Sequence, residues 1–229
     1  MARAFVELHH YSGTYPAARV RLGLYTQGQL VGVAVFSHPS NDRTLTNVFP
    51  AIPIAHLVEL GRFVLLDEVG FNGETWFLAR CFEELRRRGL RGVVSFSDPV
   101  PRTNQHGDIV FAGHLGTIYQ AHNAHYLGRG TARIKRLLPD GRVVDERALS
   151  KVRKGERGWL AAPHLLSEFG ASVPPVDAER EERLAWLAEW LPQLTRPLPH
   201  PGNYRYAWGL DRRVQLPPSL AYPYGRLAA

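Results

Sequence analysis

The chain has little sulfur and almost no lysine. Its single cysteine, Cys81, excludes a disulfide framework and any cysteine-cluster metal site, and points to a reducing compartment. Lysine occurs only at 135, 151 and 154, so arginine carries most of the net charge of +7. Arginine suits bidentate phosphate recognition, although a GC-rich coding sequence produces the same bias. A surplus of this size favours a polyanionic partner such as nucleic acid. No stretch approaches the apolar length of a membrane span, and the N-terminus lacks the charged and apolar regions of a signal peptide. The expectation is a cytoplasmic protein with no membrane partner. There is no internal repeat and no low-complexity tract. With 229 residues, 45% hydrophobic and 21% charged, the composition is that of a globular chain with one sizeable core and an elaboration.

The densest chemistry lies between Gly92 and Gly128. Val93-Val94-Ser95-Phe96 reads as a buried strand ended by Asp98-Pro99, since proline cannot continue a ladder. A carboxylate delivered to the C-terminal end of such a strand is where open α/β sheets place their chemistry; the same dipeptide also initiates plain turns. After a polar loop, GHLGTIYQAHNAHYLG brings His114, Tyr119, Gln120, Asn123 and Tyr126 close together. The N-terminal His9-His10-Tyr11-Ser12 reads as a short extended segment whose adjacent histidines face opposite ways, so that His10 lines a pocket or the segment is an exposed edge.

Two β-rich runs, 20–25 and 30–36, are joined by Thr26-Gln27-Gly28-Gln29 and predict a hairpin. Leu57 to Leu66 predicts a strand interrupted by Glu59 and Arg62. Asn72-Gly73-Glu74 then opens a helix over about 74–88, with Phe77, Leu78, Cys81, Phe82 and Leu85 on one stripe. Strand, helix and strand with a right-handed crossover put 58–66 and 92–97 side by side. The free N–H groups at Gly73 to Thr75 suit a pyrophosphate, while Glu74 repels one. Residues 131–158 read as a hairpin turning at Pro139-Asp140-Gly141, then a basic helix that includes Arg153 and Lys154. A further helix is expected after Asp177, ended by Pro192, and GNYRYAWGL (202–210) as the last strand.

LVGVAVF, ELGRFVL, FNGETWFLARCFEEL, SFSDP and GHLGTIYQAHNAHYLG occur in this order, preceded by an HYS element at His10-Tyr11-Ser12. Together, over roughly residues 5–145, they resemble the Mom family of phage DNA-modification proteins, relatives of the GNAT-type N-acetyltransferases. The resemblance implies an α/β fold: a GNAT-like mixed, twisted sheet flanked by helices, split by a V-shaped opening for acetyl-CoA. Chain length and the returning strand at 202–210 give the expectation of a single domain over 1–229, with a core at about 1–145 and 202–212 and a helical insertion at about 146–200 before the last strand. The implied reaction places a carbamoylmethyl group on N6 of adenine in DNA, protecting it from restriction, in the host cytoplasm if the chain is phage-encoded.

On this reading Asp98, Tyr119, His10, Tyr11 and Glu59 are the catalytic candidates. Asn72, Gly73, Glu74, Thr75, Arg62 and Tyr126 are the cofactor candidates. Ser12, His114, Gln120, Asn123, Arg153 and Lys154 are the DNA-contacting candidates. Residues 116–128 take the place of the family helix at the cofactor, and spacing leaves open whether Tyr119 or Tyr126 is the general acid. The loop 71–75 departs from the usual acetyltransferase phosphate loop, Gln/Arg-x-x-Gly-x-Gly/Ala. His10, Glu59 and Asp98 form a possible ligand set for iron. The alternatives are an ordinary acetyl-CoA-dependent N-acetyltransferase acting on a small amine or peptide, and a catalytically dead nucleic-acid-binding relative.

Overall fold

In the computed structural model, which describes residues 1–223, the β-rich runs fold as their spacing predicts. Strands β1 (Ala18–Thr26) and β2 (Gln29–Ser37) are antiparallel, and Gln27 and Gly28 both have positive φ, as a tight two-residue hairpin turn requires. Strand β2 is buried from Val31 to Ser37 because both its faces are covered. Ala34 and Phe36 enter the core beneath helix α3 (Gly73–Arg87), whereas Val33 and Val35 meet Val6 of helix α1 (Ala2–His9). Strand β3 (Leu57–Leu65), entered through a 3₁₀ turn at Ile54–His56, pairs antiparallel with β2. It lies parallel to strand β4 (Gly92–Ser97), with α3 as the crossover.

Parallel pairing between β3 and β4 runs only from Leu57 opposite Gly92 to Leu60 opposite Ser95. Beyond that point β3 continues along β2 to Leu65, and β4 continues along strand β11 (Tyr204–Gly209) to Ser97. The sheet therefore forks after Leu60 and Ser95. Numbering the short strands β5 (Arg102–Thr103) and β6 (Ile109–Phe111) in chain order, strand β7 (His125–Arg129) follows the short helix α4 (Thr117–Ala121). Strand β11 inserts between β4 and β7, antiparallel to both, giving the order β1-β2-β3-β4-β11-β7. Helix α2 (Arg43–Thr46) sends Leu45 to the face shared by Leu57 and Val94.

Two sequence expectations are corrected here. The N-terminal segment is helical, since Ala2, Phe5 and Val6 form a helical stripe against β2, and only His10 at its end is extended. Residues 116–128 do not form one helix: Asn123 adopts φ 56°, ends α4, and turns the chain into β7. The remaining elements are strands β8 (Arg133–Leu137), β9 (Val143–Val144) and β10 (Arg196–His200) with helices α5 (Glu146–Lys154), α6 (Ala161–Ser167) and α7 (Arg180–Leu194). Helix α7 is opened by a reciprocal Glu179/Glu182 capping box and includes Pro192, which the sequence had placed at its end. Contacts group the chain into two compact units. One comprises 1–99, 114–130 and 203–223 of the described residues; the other comprises 100–113 and 131–202, with Leu138, Leu149, Val152, Trp159, Leu166 and Trp186 in its own core. The expected insertion at 146–200 lies within the second unit.

Gly116, which precedes α4, has φ 77°, and a Cβ there would stand 2.5 Å from Tyr206 Cε2. Gly116→Ala should lower stability by about 1–3 kcal/mol through backbone strain and overpacking. Gly70, with nothing within 4 Å of its notional Cβ, is the control, and Gly70→Ala should be near neutral. Denaturant midpoints of the two variants check this.

Candidate active site

The fork in the sheet is where the catalytic candidates gather. Ser95 Oγ donates to the Leu60 carbonyl at 2.9 Å, closing the last rung of the parallel pair with a side chain. Ser95 is also the hydrogen-bond partner of the Tyr119 hydroxyl. Tyr119 is buried with Tyr206 and Trp208 around its ring, and burial pushes its hydroxyl up to about 12, with Ser95 pulling the other way. It therefore carries its proton throughout the neutral range.

A β-bulge lies in β3, where Val35 pairs with Arg62 but Phe36 pairs with Leu60, leaving Gly61 as the extra residue. Without it, Glu59 and Arg62 would point to opposite faces. With it, Val58 and Leu60 before the bulge, and Phe63 after it, all meet the α3 core, so Glu59 and Arg62 share the other face. Arg62 donates to the Thr14 carbonyl at 3.0 Å and the Thr14 hydroxyl at 2.6 Å, tying the HYS segment to the sheet. Burial raises the Glu59 carboxyl above its usual range, with the Arg62 charge opposing. Both charges, and Tyr11, are felt by the Tyr119 hydroxyl, so the fork brings together groups from the two faces.

His10 is held by Ser12, whose backbone N–H donates to Nδ1 at 3.1 Å and whose hydroxyl lies 2.8 Å from the same atom. That bond makes Nδ1 the acceptor and leaves the proton on Nε2. Tyr11 rests against the imidazole with ring centroids 4.2 Å apart. Burial, then Arg62 and His114, lower the His10 pKa to about 3. Asp98 follows the last residue of β4 and is only 7% exposed. Its carbonyl accepts the His114 backbone N–H at 2.7 Å, and its charge opposes the burial that lowers the His114 pKa. His114 in turn stands edge-on to Tyr119 at 5.4 Å.

Other candidates lie elsewhere or are otherwise engaged. Gln120 donates to the Leu115 carbonyl at 3.1 Å and to Tyr206 Oη at 3.0 Å, which fixes α4 to the sheet. Asn123 ends that helix and is exposed. Tyr126 is buried in β7 against Tyr204 and Tyr206. Arg153 and Lys154 belong to the second unit, on α5, where they pair with Glu146 at 2.7 Å and Glu156 at 3.8 Å. His10, Glu59 and Asp98 make no ligand set, since no group of three His, Cys, Asp or Glu able to hold a metal exists among the described residues. The residues do not fit iron, and no step is assigned to a metal.

Two residues were missed by sequence reasoning. Ser95 anchors Tyr119, and Ser97, two residues further along the same face, has a buried hydroxyl with no hydrogen-bond partner among the described residues. The alternation Ser95-x-Ser97 inside an apolar strand was the available signal.

Beside the fork, a cavity of about 400 Å³ is lined by the end of β3, the loop Asp67 to Thr75 and the start of α4. Asn72 precedes α3 with φ 64°, the Gly73 amide bonds the Gly70 carbonyl and the Trp76 amide bonds Asn72. This leaves the Glu74 and Thr75 amides as the open donors of the helix start. The Glu74 carboxyl stands there too, raised by burial.

The depressed His10 sets a pH dependence. A neutral imidazole held in the folded state is protonated more readily in the unfolded one, so its contribution to stability is full above pH 6.5 and is lost as pH falls from 6.5 toward about 3. Thermal midpoints across that window should fall more steeply for the wild type than for His10→Gln; parallel curves would show that His10 is not the group responsible.

A comparison with curated proteins finds no match. Among solved structures, a tandem GNAT protein from the clavulanic acid biosynthesis pathway (without AcCoA) is similar at 9% identity and a TM-score of 0.41, covering 86% of this chain and 85% of that one. A model of the Mom protein family matches residues 1–170, which takes in α1, the parting strands β3 and β4 and every catalytic candidate, with β11 beyond it. The chain belongs to the Mom protein family.

Proposed function

We propose that this chain is a transferase that modifies N6 of adenine in DNA, in the manner of the Mom family's carbamoylmethylation, using acetyl-CoA and protecting the DNA from restriction. The observation that carries the reading is the fork. In a chain of this family, a buried tyrosine hydroxyl, two carboxylates and a held imidazole converge where two parallel strands part. The N6 amine of a paired adenine is engaged with thymine at the groove edge, so the base must leave the stack to enter such a recess. Tyr11, exposed beside His10, offers it a stacking face.

The loop Asn72 to Thr75 is the fitting place for the cofactor, because the Glu74 and Thr75 amides and the helix dipole suit a pyrophosphate. When bound, acetyl-CoA would supply an acyl group activated as a thioester, with CoA thiol as the leaving group; a carbamoylmethyl product would further require an amine donor for its amide nitrogen and a two-electron oxidant to join N6 to the former methyl carbon. Asp98, at the end of a buried strand, would accept a proton from the exocyclic amine, a poor nucleophile without such help. Tyr119, protonated at neutral pH, would be the proton donor, with Ser95 fixing its hydroxyl. His10, neutral and held by Ser12, would keep Tyr11 in place and present a hydrogen-bond donor at Nε2.

Asp98→Asn and Tyr119→Phe should each lower modification by about 10²–10⁴-fold while leaving DNA affinity intact. Mass spectrometry of nucleosides from DNA of expressing cells reads the modification. Full activity of Asp98→Asn would reduce Asp98 to a turn residue.

Cofactor binding is separable by calorimetry with acetyl-CoA. Gly73→Val is a poor probe, because a Cβ there would meet Val69 Cγ1 at 2.3 Å and disturb packing first. Glu74→Gln instead removes the one repulsive charge at the helix start and should tighten binding by roughly two- to fivefold at low salt. Unchanged affinity would place the phosphates elsewhere.

A further inference from the structure

The arginines of this chain differ in whether an acid neutralises them. Those of α5 and the turn before it mostly meet carboxylates: Arg142 meets Asp140 and Glu168, Arg147 meets Glu156, and Arg153 meets Glu146. On α3, Arg80 meets Glu83, while Arg87 and Arg88 meet Glu84. Among the arginines with no carboxylate partner within 4.0 Å in the described residues are Arg86, Arg91, Arg212 and Arg213. These four line one cleft of about 540 Å³, formed by the C-terminal end of α3 and the segment that follows β11.

The cleft has a firm floor. The Arg91 backbone donates to the His56 carbonyl at 2.8 Å and accepts from the Leu210 amide at 2.8 Å, which ties it to the end of the sheet. Gly89, with φ 75°, ends α3 at the rim. Asp211 is the one acid in the lining, and its Oδ1 accepts the Arg213 backbone N–H at 2.8 Å. Four guanidiniums thus face one carboxylate. The field extends inward as well, since Arg86 is among the causes that lower the His122 pKa.

We infer that this cleft binds backbone phosphates of DNA and is the anchor that holds the duplex while a base enters the fork. The inference rests on the DNA-modification reading above. Unpaired, converging guanidiniums match phosphate geometry and retain the charge that counter-ion release requires, whereas the α5 arginines are largely neutralised by their acids. The placement is suitable too. Strand β4 runs from Arg91 at the cleft to Asp98 at the fork, about 20 Å of extended chain. That corresponds to about six nucleotides along one strand of a duplex, so a phosphate anchor here leaves the target base within reach.

The test is binding of a short labelled duplex by the full chain, followed by anisotropy over a range of salt. Arg212→Gln/Arg213→Gln removes two exposed charges, and Arg87→Gln/Arg88→Gln removes two from the same neighbourhood that are paired with Glu84. The slope of log affinity against log salt should become shallower by about 2 in the first variant, alike for all sequences, and stay at the wild-type value in the second. Thermal midpoints verify folding, and Arg86→Gln, with an expected change of about 1, carries the test if the double variant is unstable. Wild-type affinity and slope in Arg212→Gln/Arg213→Gln would overturn the anchor and leave the DNA reading standing. A wild-type chain that binds no DNA would overturn both. Titration with inorganic phosphate separates the other source of the same chemistry: saturable phosphate binding lost in the variant, with duplex affinity unchanged, would assign the cleft to a small phosphorylated ligand and end the proposal.

Discussion

The structure depends on one rung. Strands β3 and β4 pair over four residues, and the last contact between them is made by a side chain, Ser95 Oγ to the Leu60 carbonyl. Past that rung each strand has a different neighbour, so backbone groups that would have bonded each other are free to line a recess. A parallel pair that ends in this way needs both strands held from outside. Strand β2 holds one and β11 the other, and each of these carries the heavy core residues: Phe36 on β2, Tyr206 and Trp208 on β11. Apolar burial on the flanks thus maintains an opening in the middle.

Electrostatics at the opening follow from its depth. Burial is the first cause of every resolved shift there, raising Tyr119 and Glu59 and lowering His10 and His114. All four are moved toward their neutral forms, while Arg62 keeps its charge and its bonds to Thr14. A recess in which Arg62 and the Asp98 carboxylate carry the charge, and the other four groups are held neutral, suits a planar, hydrogen-bonding substrate.

Much of the first unit was legible. The hairpin, the crossover helix, the neighbouring strands and the returning strand at 204–209 follow from alternation, a five-residue helical stripe and two strong turns. Legibility failed where tertiary contact overrides local pattern. Ala2, Phe5 and Val6 form a helix because β2 offers them a groove; His9-His10-Tyr11, the more conspicuous residues, suggested an extended chain. The bulge at Gly61 is invisible as a pattern, because one inserted residue only looks like broken alternation, yet it is what puts Glu59 and Arg62 on one face. At the site, residue types were readable but commitments were not. Gln120 and Asn123 have the chemistry to read a base, and the fold has used the one to fasten α4 and the other to end it. Counting arginines likewise pointed to 133–157 without showing how many acids lie among them.

The late position of β11 has a consequence for how the molecule is made. Strand β4 emerges from the ribosome more than a hundred residues before the strand that pairs with its far edge. Until Tyr204–Gly209 has been synthesised, β4 and β7 both present open edges, and the apolar run Val93-Val94 has water where Ala207 and Trp208 belong. The second unit is itself complete only with strand β10 (Arg196–His200), which pairs with β8, so it closes just before β11 is made. Nascent chains of this protein therefore pass through a long interval with an unfinished sheet, and completion of that sheet is a slow, long-range closure. Truncation anywhere before residue 204 would leave the fork without one of its two walls.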